Sequence, residues 1–271
     1  MSEKLLQHPE ALCNQLSRIA IEAGDITLEF FDDMGCEFEQ KSDGSPVTLA
    51  DQKAERHIEA ALKNLLPSVP MIGEECAGDK DKSDIQDHEY FWLVDPLDGT
   101  KEFISGSGEY TVNIALIRNG EPWIGVVYAP YLGELYGGCT DVGAYKWNEE
   151  TNIQKEIRAN NPTASGLTVV ASKSHGNNEK LDAFLEQFKV KKLVKRGSSL
   201  KICAIAAGKA DLYPRFGPTC EWDTAAAHAV LQSAGGILVN AADYKPLTYG
   251  HNRDEKWLNP EFIASGFVFS E

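Results

Sequence analysis

Asp95 and Asp98 stand three residues apart in Trp92-Leu93-Val94-Asp95-Pro96-Leu97-Asp98-Gly99-Thr100, just where an apolar run stops. Two carboxylates fixed so close repel one another unless a proton or a cation lies between them. To a cation the string offers only oxygen: the Asp95 and Asp98 side chains, the Leu97 carbonyl and the Thr100 hydroxyl. That donor set suits magnesium, which takes oxygen ligands in near-octahedral geometry at about 2.0–2.1 Å and keeps some of its waters. An Asp-Pro turn followed by a capping aspartate explains any one of these residues alone. The complete string at the end of a buried strand is what favours a site.

Such a site needs elements that end in the right place. Phe91 to Val94 is continuously apolar and reads as a strand buried on both faces, which Pro96 ends because it has no N–H to give. Upstream, Leu12, Leu16, Ile19, Ala23, Ile26 and Phe30 recur in steps of four and three. They predict an amphipathic helix from Pro9 to about Met34. Gly44 to Val47 reads as a polar loop, and Thr48 caps a second helix with the stripe Ala54, Ile58, Ala61 and Leu65, ended by Pro67. Extended backward by three residues, that stripe lands on Asp51, which either points inward or closes a capping box with Thr48; the two are compatible. Val69 to Gly73 reads as a short strand delivering Glu74 and Glu75, a pair that taken alone signifies solvation. Cys76 to Glu89 reads as a charged surface loop able to cover the site.

The rest of the chain falls into two patterns. Glu109–Arg118, Pro122–Tyr131, Gly133–Cys139 and Val142–Trp147 predict an antiparallel meander. Residues 148–166 are polar and mark a boundary, giving an α+β domain over 1–157 and an α/β domain over 158–271. The second domain alternates strand, helix, strand, helix, strand through Leu167–Ser172, Asn178–Phe188, Leu193–Lys195, Ser199–Ala207 and Ala210–Tyr213. Within it, Ala226, Val230 and Ala234 form a helical stripe headed by Asp223 and ended by Gly235-Gly236, so Asp223 caps its own helix or reaches across to a metal. Glu74, Asp95, Asp98 and Asp223 thus each stand at the end of a regular element, with Asp51 as a fifth. Two or more cations held there, beside the N–H groups of the turn opened by Gly99 and Thr100, suit a phosphate displaced in line by water.

Bulk composition narrows the classes. The 271 residues are 42% hydrophobic and 25% charged, and 41 acidic against 26 basic residues leave a formal charge of −15. That balance argues against a general nucleic-acid or anionic-membrane binder and leaves room for a small anionic substrate. Cysteines at 13, 36, 76, 139, 203 and 220 show neither C-x-x-C pairs nor zinc spacing with histidine, which predicts free thiols. The N-terminal residues lack the form of a signal peptide, and no apolar run approaches the roughly 18 residues of a membrane span. The expected compartment is the cytoplasm, with peripheral attachment to the cytoplasmic face of the inner membrane left open. There is neither a G-x-x-x-x-G-K-[ST] loop nor a G-x-S-x-G elbow, so P-loop and serine-hydrolase chemistry lose support.

Gly73-Glu74-Glu75, Asp95-Pro96-Leu97-Asp98-Gly99-Thr100 and Trp222-Asp223-Thr224-Ala225-Ala226 together resemble, in order and spacing, the signatures of the inositol-monophosphatase superfamily. The bacterial 3′(2′),5′-bisphosphate nucleotidase branch is matched through W-L-V-D-P-L-D-G-T-K-E-F-I, E-Y-T-V-N-I-A-L-I, G-S-S-L-K and L-Y-P-R-F-G-P-T, over about residues 10 to 265. The resemblance implies an αβαβα layered sandwich and magnesium-dependent hydrolysis of adenosine 3′,5′-bisphosphate to AMP and phosphate, with the 3′-phosphosulfate analogue as a second substrate. It implies two or three Mg2+ ions, one held by Glu74, Asp95 and the Leu97 carbonyl, another by Asp95, Asp98 and Asp223. Glu74 with Thr100, and Asp51 behind them, would activate water, and Gly99 and Thr100 would receive the phosphate. Ser199, Lys201 and Arg215 match segments that contact the nucleotide, against the plainer readings of an exposed helix lysine and a turn arginine. Ser172-Lys173-Ser174-His175 follows a strand and faces either nucleoside or solvent, and the basic run Lys189–Arg196 reads as a solvated face. Ala227 departs from the glycine common in the family, and its methyl is expected to crowd the helix against the ligand. An inositol or sugar phosphatase with the same metal site, and a non-catalytic nucleotide or metal sensor, stand as alternatives; oligomeric state is not legible.

Overall fold

The computed structural model of the chain describes residues 3–31, 39–40, 46–76, 85, 88–172, 179–250 and 257–268. Helices α1 (Pro9–Leu28) and α2 (Leu49–Leu65) follow one another, separated by the short paired strands β1 (Glu39–Gln40) and β2 (Pro46–Val47). A seven-stranded sheet comes next, in the order of the chain: β3 (Met71–Gly73), β4 (Tyr90–Asp98), β5 (Thr111–Arg118), β6 (Glu121–Ala129), β7 (Glu134–Cys139), β8 (Gly143–Asn148) and β9 (Ile153–Ile157). Within it β3 and β4 pair in parallel, and the remainder is an antiparallel meander. The short helix α3 (Thr100–Ile104) is inserted between β4 and β5, and α4 (Glu179–Leu185), α5 (Leu200–Ala206) and α6 (Glu221–Ser233) accompany a second sheet. That sheet runs β11 (Val190–Arg196), β10 (Leu167–Ser172), β12 (Leu212–Arg215), β14 (Phe262–Ser265) and β13 (Ile237–Asn240).

Period-two alternation sorts the side chains into layers. On β4, Trp92 and Val94 join α1 and α2 in one core, while Phe91 and Leu93 join α5 and α6 in another. On the second sheet, Val170, Tyr213, Leu238 and Phe262 turn to that same middle core, whereas Val169, Leu212, Val239 and Ile263 pack outward beneath Phe184 and Leu185 of α4. The result is the αβαβα sandwich expected from the resemblance. Asp95 has the parity of Phe91 and Leu93, so it faces the middle layer, as Glu74 does with the parity of Ile72.

Several expected boundaries shift for identifiable reasons. Helix α1 stops at Leu28 instead of about Met34, because Phe31 leaves the helix to pack on Phe103 and Tyr110, with ring centroids 5.4 and 5.6 Å apart. Pro46 and Val47 belong to a strand, not a polar loop. The stripe of α2 buries Leu62 in place of Ala61 and Leu65. Strand β9 lies inside the segment read as a polar boundary; its residues are almost wholly exposed, so no apolar alternation announces it. Most of the loop over 76–89 lies outside the described residues, but Ile85 is a core residue. Helix α6 is buried on every side instead of along one stripe, since it lies between two sheets.

That sandwiching requires close approach. A methyl on Gly125 of β6 would sit 2.1 Å from the Ala226 carbonyl oxygen and 2.8 Å from the Ala229 Cβ, so the sheet touches the backbone of α6 directly. Gly125→Ala should therefore push α6 off the sheet and lower stability by about 1–3 kcal/mol, read as a fall in the urea midpoint at unchanged slope. An unchanged midpoint would mean that the layers yield without cost.

Candidate active site

Pro96 does not end β4. It sits in a bulge: Asp95 pairs with Asn113 and Asp98 with Thr111, so two residues of β4 oppose only Val112. A bulge is where a strand tolerates a residue with no N–H, and it re-aims the residues on its far side. The Asp95 carboxylate accepts the Leu97 N–H at 2.9 Å, and the Leu97 side chain is buried against Phe103, Tyr110 and Ala50. Gly99 then takes φ of 94°, a left-handed value that glycine adopts freely, and starts α3. The Thr100 hydroxyl donates to the Leu97 carbonyl at 3.4 Å.

The other acids arrive from separate elements. Glu74 follows β3, its N–H bonded to the Val94 carbonyl at 3.1 Å. Asp51 does both things the sequence allowed: it is 1% exposed and it closes the capping box, accepting the Thr48 N–H at 2.8 Å and the Thr48 hydroxyl at 2.6 Å. Asp223 stands in the first turn of α6 and accepts the Cys220 N–H at 2.8 Å. Asp98 accepts the Ser198 hydroxyl and the Ser199 N–H, each at 2.6 Å, which ties β4 to the start of α5.

A cavity of about 150 Å³ opens at this junction, and Asp98, Gly99, Ser199, Lys201, Arg215 and Asp223 all lie on its wall. Glu74, Asp95, Leu97, Thr100 and Asp51 are not on that wall. Lys201 is neither exposed nor a simple helix lysine: it is buried, donates to the Ser198 carbonyl at 2.6 Å and lies 5.6 Å from the Tyr213 ring centroid. Burial pulls its pKa down, Asp98 raises it and Arg215 lowers it further. Arg215 donates to the Pro218 carbonyl at 3.0 Å and lies on the same cavity wall as Asp98 and Asp223.

Burial pushes the Asp95 carboxyl well above the ordinary range, and Glu74, Asp98 and Asp223 push it the same way. Asp223 is raised by burial, then by Asp98 and Glu74, with Arg215 opposing only in part. These acids are a mutually repelling group of oxygens short of positive charge, which is the chemistry of a hard-cation site. Among the described residues no group of three or more His, Cys, Asp or Glu side chains is drawn together closely enough to hold a metal ion by itself. Each of Asp95, Asp98 and Asp223 commits one oxygen to a nearby donor, leaving its second oxygen to serve an ion.

Ser172 lies on the cavity wall, while Lys173, Ser174 and His175 fall outside the described residues. Ala227 is fully buried in the middle core, so its methyl packs against the protein and the crowding of the ligand expected from it is not found. The basic run 189–196 is the exposed edge strand β11. Sequence reasoning missed Glu102 and Thr219 on the wall, Glu55, whose buried carboxylate accepts the Glu75 N–H at 2.9 Å, and Thr111 and Asn113 beneath Ser198 and Ser199. Periodicity alone marks Glu55, one position after Ala54 on the buried stripe.

A fold of two sheets enclosing α5 and α6, with an acidic turn after β4 and an acid heading α6, defines a phosphatase architecture. The model of the inositol monophosphatase family matches residues 9–259, and the chain belongs to that family. It is 43% identical over 256 residues to the 3′(2′),5′-bisphosphate nucleotidase CysQ of Escherichia coli K12, covering 94% of this chain and 99% of the relative. It is 42% identical over 253 residues to the protein of that name from Salmonella typhimurium, covering 93% and 98%. The crystal structure of CysQ from Bacteroides thetaiotaomicron superposes with a TM-score of 0.80 at 35% identity, over 94% of this chain and 97% of that one.

The raised carboxyl groups fix a pH dependence. Asp95 and Asp223 bind protons more readily in the fold than in the unfolded chain, so their contribution to stability falls as pH rises from the ordinary value of 3.8 through the raised folded values. Each tenfold change in proton affinity is about 1.4 kcal/mol. In chelator, Asp95→Asn should melt above the parent, by about 2 °C per kcal/mol of relief, and the gap should widen with pH across that window. A gap that is constant with pH would mean that the Asp95 carboxyl is not raised in the fold.

Proposed function

We propose that the chain is a magnesium-dependent 3′(2′),5′-bisphosphate nucleotidase that releases the 3′-phosphate of adenosine 3′,5′-bisphosphate, leaving AMP. The observation that carries the reading is one cavity whose wall holds two acids, Asp98 and Asp223, together with two cations, Lys201 and Arg215. A substrate with one phosphate to lose and a second to be held by positive charge fits that polarity. Kinship with nucleotidases at 42–43% identity supports it independently. The 3′-phosphosulfate analogue carries the same two ends and is proposed as a second substrate.

In this reading Glu74, Asp95 and the Leu97 carbonyl would hold one cation, and Asp95, Asp98 and Asp223 another. Magnesium there would supply charge neutralisation for the acids and polarisation of the phosphate and of the attacking water. Thr100 orients the water and Glu74 takes its proton as the water oxygen bonds to phosphorus and the bond from phosphorus to the ribose 3′ oxygen breaks, that oxygen leaving with a proton drawn from solvent. Asp51, buried and in the field of Glu74, stands behind them. Gly99 and Thr100 N–H groups receive the phosphate oxygens, while Ser199, Lys201 and Arg215 bind the nucleotide end. The proposed compartment is the cytoplasm, which suits five described cysteines that are all free. No described helix is long and apolar enough to cross a membrane.

Magnesium-dependent phosphate release should be faster from adenosine 3′,5′-bisphosphate than from inositol monophosphate or a sugar bisphosphate, and faster turnover of inositol phosphate overturns the substrate reading. Asp98→Asn and Thr100→Ala should each lower kcat by about 100-fold or more; activity surviving both changes sinks the site assignment. Arg215→Ala should raise KM for the bisphosphate by about tenfold, from the loss of a charged hydrogen bond, and leave a monophosphate ester lacking the second phosphate unaffected. An equal effect on both esters would remove Arg215 from substrate recognition.

A further inference from the structure

Alternate residues at the start of β5 meet consecutive residues of the turn before α5. The Thr111 hydroxyl lies 2.5 Å from that of Ser198 and Asn113 donates to the Ser199 hydroxyl at 3.1 Å, while Glu109, two residues before the strand, accepts the Gly197 N–H at 2.8 Å. Positions i and i+2 of an extended strand share a face, so one face of β5 holds two successive residues of a segment almost ninety positions away. The bulge at Pro96 and Leu97 is what brings Asp98 opposite Thr111.

Two polar chains then run through the turn to the acids. Ser198 donates to Asp98 and lies beside the Thr111 hydroxyl, which also meets the Asn113 carboxamide oxygen at 2.9 Å, so the first chain joins Thr111, Ser198 and Asp98 and is linked to the second at Asn113. Ser199 donates to the backbone carbonyl of Asp223 at 2.6 Å, so the second runs from Asn113 through Ser199 to the head of α6. Thr111 and Asn113 are both fully buried, in a strand that is otherwise apolar to Ile117, and neither is on the cavity wall. Ser198 itself holds a φ of 54°, left-handed for a residue with a side chain, which its neighbours must maintain.

We infer that Thr111 and Asn113 are positioning residues, setting Asp98 and the Asp223 end of α6 for the cations through Ser198 and Ser199. The inference rests on the metal reading of the previous section. Buried partners that orient ligating carboxylates contribute strongly to metal affinity.

Magnesium titration by calorimetry, without substrate, tests it beside steady-state kinetics. Thr111→Val, which keeps the shape and removes the hydroxyl, should weaken magnesium binding by about tenfold and lower kcat with KM for the nucleotide within twofold. Thr111→Ser should restore both. Asn113→Ser provides a second probe with the same expected direction, should the valine variant not fold. A folded variant at either position with parental magnesium affinity overturns the inference. Asp98→Asn separates the two possible failures: unchanged magnesium affinity there overturns the metal reading together with this inference, whereas its loss there beside parental affinity in the β5 variants overturns the inference alone.

Discussion

Carboxylates crowded at one end of the middle layer repel one another, and the rest of the structure exists around that repulsion. Asp95 is raised by burial and by three other acids, and at Asp223 the Cys220 N–H and Arg215 oppose the rise only in part. A fold tolerates such a cluster only if it is held rigidly and if something positive binds it in use. Rigidity comes from spreading the four acids over three elements: a strand end for Glu74, a bulge for Asp95 and Asp98, a helix start for Asp223. No single element can relax to separate them.

The middle layer makes this arrangement possible. Helix α6 has no solvent face, since Gly125 lets the first sheet reach its backbone while the second sheet covers its other side. Asp223 is therefore carried on a helix whose position is set by both sheets. The turn at Ser198 and Ser199 ties the same region to β4 and β5, and Lys201, one helical turn on, closes back upon it. Positive charge reaches the same cavity from buried Lys201 and half-buried Arg215.

How legible this was depends on the range of the interactions involved. The acidic turn at 95–100 could be read because its logic is local: an apolar strand, a proline, a glycine and four oxygen donors within six residues. Asp51 and Asp223 were legible as helix starts for the same reason, through short-range capping patterns. What misled was also local. Pro96 looked like a strand end because the bulge that accommodates it is a property of the pairing with β5. Strand β9 was overlooked because an edge strand with exposed side chains lacks alternation.

Thr111, Asn113 and Glu55 mark the boundary between the two kinds of knowledge. A threonine and an asparagine inside an apolar run look like ordinary strand residues until Ser198 and Ser199 are seen to meet them. By itself the sequence determined an α+β half and an α/β half, the oxygen-only chemistry of the acidic turn and the elements that would carry its partners, since these follow from periodicity, capping and turn residues close together in the chain; the layering was implied by the family resemblance. Only the tertiary structure decided which acids share one field, that Lys201 and Arg215 line one cavity with Asp98 and Asp223, and that Thr111 and Asn113 of β5 hold the turn at 198–199. Those depend on contacts between residues some hundred positions apart, which no local pattern encodes.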